Sequence, residues 1–177
     1  IAPVTTLAEA AKADMVIEAA SEEEAVKKGV FAELTPLLGP DTLLASNPSS
    51  ISITRLASVT DRPERFIGLH FMKPAPTMKL VELVRGIATS ASTFETAVAF
   101  AESLGKIITE SEDFPAFIVN RILVPMMNEA VYVLYEGVGD VASIGKGLKL
   151  GANHPLGPLG SGGLMGLDAA PGAMHVG

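Results

Sequence analysis

A chain of 177 residues, 48% hydrophobic and 19% charged, has the composition of one folded domain, or one domain with a small appendage, not of a disordered segment. A formal net charge of −7, with Lys and Arg scattered, excludes the basic patch that a nucleic-acid partner requires. The absence of cysteine excludes disulfides, thiolate catalysis and cysteine-based zinc sites, and fits a reducing, cytoplasmic setting.

The first apolar run, DMVIEAA (14–20), is short and β-branched and reads as a buried strand. SEEEAVKKGVFAELTPLLG (21–39) reads as a helix. Ser21 is placed to cap it, acidic residues fill the first turn, and Val26, Val30, Phe31 and Leu34 recur at helical spacing before Gly39-Pro40. TLLASN (42–47) reads as a second buried strand, followed by a weak helix around 51–58. RFIGLHF (65–71) and KLVELVR (79–85) read as strands joined by a proline-broken connection. STFETAVAFAESLG (92–105) is a helix with a glycine stop, and KIITES (106–111) is a last short strand. Alternation of apolar strands with helices predicts an α/β fold, a parallel-rich sheet with helices on both faces.

The character changes at Glu112-Asp113, which predicts a sheet domain over 1–112 and a helical domain over 113–177. Pro115 suits a helix first turn, and an apolar helix follows it to about Tyr135. Asn120, Arg121, Pro125, Asn128 and Glu129 interrupt that apolar stretch. A membrane span needs roughly 20 predominantly apolar residues, so a buried or interface helix is expected, despite a mean hydropathy of +0.38. VASIGKGLKLG (141–151) reads as a second, shorter helix. The chain beyond Gly151 is rich in Gly and Pro, which cost about 1 and about 3 kcal/mol inside a helix, so any helix there should be frayed or broken.

Two ionisable residues stand out. His70 closes RFIGLH and Glu82 interrupts KLVELV, both in apolar strands. A lone strand histidine is more often a satisfied core residue than a catalytic one. A buried carboxylate, however, is rare unless paired. If the two strands neighbour each other, the carboxylate can meet the imidazole, fix its tautomer and favour its charged form, as a general acid/base requires. Otherwise Glu82 lies on an exposed face beside Lys79 or Arg85. ASNPSS (45–50) follows a strand, where open α/β sheets bind ligands, so Asn47, Ser49 and Ser50 are either ligand contacts or an ordinary helix cap. Asn120, inside an apolar helix, needs partners if buried. The histidines 70, 154 and 175 are too far apart in sequence for a metal-site motif, and no metal is expected. No GxGxxG phosphate-binding turn occurs.

Read in order, ADMVIEA, AVKKGVFAEL, LLASNPSSISIT, RPERFIGLHF, MKLVELVRG, FIVNRILVPMMNEA and LKLGANHPLGPL closely resemble the 3-hydroxyacyl-CoA dehydrogenase family, from about residue 7 to about residue 170. The resemblance implies part of a Rossmann-like NAD-binding domain followed by a mainly α-helical domain that dimerises. It implies NAD as cofactor, an acyl-CoA substrate, and oxidation of L-3-hydroxyacyl-CoA to 3-ketoacyl-CoA in fatty-acid metabolism. The family's catalytic histidine then falls on His70, its glutamate partner on Glu82, the serine that touches substrate and nicotinamide on Ser49, and the helix asparagine on Asn120. Cofactor contacts fall on Glu22, Lys27, Asn47 and Ser49, with Lys73 standing where the family has asparagine. PAF at 115–117 replaces the family's PGF. The family's first βαβ unit, with its glycine-rich turn, would precede residue 1. The alternative is a folded, self-associating module without catalysis.

Overall fold

The computed structural model describes residues 2–160. The chain divides into two compact units between Phe117 and Ile118, just beyond the change of character at Glu112-Asp113.

The first unit is built on a five-stranded sheet of order β1-β2-β3-β4-β5. Its strands are Met15–Glu18 (β1), Leu43–Ser46 (β2), Phe66–Phe71 (β3), Leu80–Arg85 (β4) and Ile107–Glu112 (β5). All neighbours pair in parallel except β3 and β4, which run antiparallel. The proline-containing connection between them is too short for a crossover, so the chain can only reverse. Helices Glu24–Leu34 (α1) and Ile53–Ala57 (α2) follow β1 and β2, and Ala91–Ser103 (α3) follows β4.

Strand side chains alternate between faces, and two cores result. Phe31 and Leu34 of α1 and Ile53, Leu56 and Ala57 of α2 pack against Leu44, Phe66 and Val84. On the opposite face Leu43, Ala45, Ile67, Leu69, Val81 and Leu83 pack with Ala97 of α3. Full burial of one such large side chain is worth about 1.5–3 kcal/mol. The expected parallel-rich sheet with helices on both faces is therefore present.

Element ends follow local chemistry. Ser90 caps α3 by accepting from Thr93 N, and Gly105, at φ 70°, stops the chain after it in a conformation that favours glycine. Ser21 does not cap α1: the helix starts at Glu24, its N-cap is Glu23, and no side chain bonds there. Charge takes over that role. Glu24 sits in the first turn, favoured by the helix dipole, and pairs with Lys28 and with Arg55 of α2.

The second unit contains Val119–Tyr135 (α4) and Val141–Lys146 (α5), the latter running into a π-turn at Gly147–Gly151. Pro115 is not in a helix first turn. Residues 114–117 form a turn, because Ala116 and Phe117 adopt φ 64° and 55°, outside the helical region. Pro125 lies inside α4 instead. Asn120, Val124 and Ala130 are buried on α4, while Ile122, Val131, Tyr132 and Tyr135 are exposed. No helix among the described residues is long and apolar enough to cross a membrane. Residues 158–160 form a helical turn, and the glycine- and proline-rich residues 161–177 lie outside the described residues.

Gly68 on β3 makes the sheet and α2 approach closely. A Cβ there would stand 2.7 Å from Ile53 Cδ1 and 2.8 Å from Val84 Cβ. Gly68→Ala is expected to destabilise the protein by about 1–3 kcal/mol through overpacking, read as a lower urea midpoint at unchanged slope.

Candidate active site

The polar residues of the sheet share one face. Glu18 of β1, Ser46 of β2 and Gly68 of β3 are in register, and His70 lies two residues beyond Gly68 on the same side. This is the face covered by α1 and α2, at the carboxyl ends of the parallel strands.

Because β4 runs antiparallel to β3, Glu82 pairs in register with His70. His70 Nδ1 lies 2.7 Å from Glu82 Oε2, with side-chain exposures of 7% and 0%. An ionised carboxylate only accepts, so opposite one the imidazole donates this bond through Nδ1. The reading of Glu82 as an exposed partner of Lys79 or Arg85 is thereby excluded. The Phe117 ring packs beside the imidazole, with centroids 5.5 Å apart and planes tilted by 58°.

A second polar knot lies along the same face. Lys27 Nζ of α1 is 2.9 Å from both carboxylate oxygens of Glu18, and Ser46 Oγ donates to Glu18 Oε2 at 2.6 Å. Ala20 N also donates to Glu18, and Asn47 N donates to the Glu18 carbonyl at 2.8 Å. Lys27, expected at the cofactor, is thus completely buried, with its ammonium directed at Glu18.

The loops after β1 and β2 are tied to each other. Exposed Glu22 accepts from Ser49 N at 2.7 Å and from Ser50 N at 2.9 Å. Asn47 Oδ1 accepts from Phe71 N at 3.0 Å, linking the ends of β2 and β3. The helix cap expected of ASNPSS falls later, on Ser52, which accepts from Arg55 N. Asp113 reinforces it, accepting from Ile53 N at 2.9 Å, Thr54 N at 2.8 Å and Ser52 Oγ at 2.7 Å. Lys73 is exposed in the connection after β3, and Asn120 is buried near the start of α4 in the second unit.

Glu18, Ser46, Asp113 and Phe117 escaped the sequence reading. Glu18 carried the same signal as Glu82, an acid within an apolar strand. Phe117 carried none, because nothing local says which side chain a turn aromatic will meet. Among the described residues, no group of His, Asp and Glu side chains could hold a metal ion.

Residues 1–114 match the model of the 3-hydroxyacyl-CoA dehydrogenase NAD-binding domain, and residues 117–176 that of the C-terminal domain. The chain belongs to the 3-hydroxyacyl-CoA dehydrogenase family. NAD is accordingly the cofactor of its first domain. A 3-hydroxybutyryl-CoA dehydrogenase of Bradyrhizobium diazoefficiens is 59% identical over 94% of this chain and 57% of its own length. The human mitochondrial hydroxyacyl-coenzyme A dehydrogenase is 43% identical over 88% of this chain and 49% of its own length. The crystal structure of (S)-3-hydroxybutyryl-CoA dehydrogenase from Ralstonia eutropha superposes with a TM-score of 0.93 at 45% identity, over 98% of this chain and 61% of that one. The fold is therefore a Rossmann-like NAD-binding domain followed by a helical domain, over less than two thirds of those relatives' length.

Breaking a buried ion pair by removing one partner costs about 3–5 kcal/mol. Lys27→Met is expected to lose that much, because Glu18 stays buried without its cation. Adding Glu18→Gln should recover part of it. Equilibrium unfolding of the two single variants and the double variant checks both.

Proposed function

We propose that this chain supplies the acid/base site of an NAD-dependent 3-hydroxyacyl-CoA dehydrogenase, interconverting L-3-hydroxyacyl-CoA and 3-ketoacyl-CoA. The observation that carries the reading is the buried 2.7 Å contact between His70 and Glu82 at the carboxyl-terminal edge of the sheet. The names of the relatives from Bradyrhizobium and Ralstonia support a short acyl chain such as 3-hydroxybutyryl.

The loops after β1 and β2 carry polar groups of the kind that bind the polar parts of a dinucleotide. Asn47, Ser49 and Ser50 lie in the loop after β2 and Glu22 in the loop after β1, where open sheets bind such ligands. Glu22, Asn47 and Ser49 would hold the cofactor, with Lys73 on the connection after β3. Lys27 acts one step back, by fixing Glu18 and through it the roots of both loops. When bound, NAD supplies the acceptor for the hydride that leaves C3 of the substrate.

The protein's part is proton transfer and orientation. His70 Nε2 takes the proton of the C3 hydroxyl, which becomes the carbonyl. Glu82 holds the opposite nitrogen, keeps the ring in one tautomer and stabilises the positive charge that forms. In reduction the imidazolium returns the proton. Ser49 is assigned to binding the substrate oxygen. The exposed apolar residues of α4, Ile122, Val131, Tyr132 and Tyr135, support association of two copies through the helical unit.

With acetoacetyl-CoA and NADH, His70→Gln is expected to lower kcat by about 10²–10⁴-fold, the usual worth of a general acid/base, with NADH binding unchanged by fluorescence titration. Retained turnover would sink the assignment. Glu82→Gln should also lower kcat, because an amide can hold the ring but cannot balance its charge.

A further inference from the structure

Glu82 fixes one atom of the His70 ring and leaves its face to be held by something else. Phe117 is the aromatic side chain against that ring, at 5.5 Å between centroids. It is only 3% exposed and packs in the same core as Phe31, Phe66 and Val84. It closes the turn at 114–117 that follows β5, so it approaches the imidazole from a different element than Glu82 does.

Its backbone is unusual. Ala116 and Phe117 both adopt positive φ, 64° and 55°, a region that non-glycine residues seldom occupy and keep only when the surroundings over-determine it. Two anchors do so here. Upstream, Asp113 is clamped by Ile53 N, Thr54 N and Ser52 Oγ at the start of α2. Downstream, the Phe117 ring is buried among core side chains. Residues 113–117 thus form a short braced arch, and its far end is the ring beside His70.

We infer that Phe117 is a positioning residue for His70, braced by the Asp113 anchor so that its ring confines the imidazole to the plane in which Nδ1 meets Glu82 and Nε2 faces the substrate. An aromatic wall also excludes water, which strengthens the carboxylate–imidazole hydrogen bond. The inference rests on the acid/base reading of His70 and adds a residue to it.

The test combines spectroscopy with kinetics. Phe117→Leu removes the ring and keeps an apolar side chain. Phe117→Met fills the gap more fully and replaces it should the leucine variant fail to fold. In NMR spectra of the protein, with His70→Gln used to assign the signals, the ring protons of His70 should lose the displacement caused by the Phe117 ring, and its Nδ1–H signal should broaden. With acetoacetyl-CoA and NADH, kcat should fall about 10- to 100-fold, the scale of a small misplacement of a catalytic group, while KM for NADH changes less than about twofold. Unmoved His70 signals in a folded variant overturn the inference whatever the rate does, and so does an unchanged kcat. Turnover surviving in His70→Gln would instead mark the failure of the acid/base reading. Turnover lost in His70→Gln but kept in Phe117→Leu would defeat the positioning role alone.

Discussion

The pairing of His70 with Glu82 is the constraint around which the first unit is arranged. A carboxylate with no exposure is tolerated only with a partner, and its partner is a ring nitrogen 2.7 Å away. That meeting depends on chain direction. His70 is near the end of β3 and Glu82 near the start of β4. Only a reversal between adjacent strands sets an end beside a start. The antiparallel step in an otherwise parallel sheet is therefore what creates the pair.

The same face carries a second buried pair, the salt bridge of Glu18 with Lys27, and the two pairs have different tasks. Glu18 and Lys27 neutralise each other inside the protein, and Ser46 and the Ala20 amide fill the remaining acceptor positions of the carboxylate. Replacing such a pair by hydrophobic residues is often neutral or stabilising, so stability alone is a weak reason for it. Its position gives a better one. Glu18 ends β1, Ser46 ends β2, and the loops that follow hold Glu22, Asn47 and Ser49. The knot sets where those loops begin. The Glu22 carboxylate then holds one loop to the other through two amide donors.

Most elements were legible because their signals are local. Short apolar runs gave the strands, apolar spacing gave α1, a glycine stop bounded α3, and a long apolar stretch gave α4. The misses occurred where a local signal had a tertiary competitor. Ser21 has the chemistry of a cap, but the loop before α1 runs on to Glu23, and Glu24 is held by Arg55 of another helix. Pro115 fits a helix start, but the arch between Asp113 and Phe117 delays the helix to Val119. The direction of the Lys27 side chain is a tertiary property of the same kind, its ammonium being taken up by Glu18. No property of AVKKG distinguishes a lysine that points inward from one that points out.

By itself the sequence determined the order of strands and helices, the change of character near Glu112-Asp113, the candidate pair His70 and Glu82, and the family through a string of motifs in the right order. These are properties of short segments, fixed by propensity, periodicity and residue chemistry. The tertiary structure decided that His70 and Glu82 lie in register, that Glu18, Lys27 and Ser46 close into one buried knot, and that Phe117 reaches the imidazole. Each of these joins residues from different elements. Their meeting is set by strand direction, register and a left-handed turn, which only the packed chain as a whole determines.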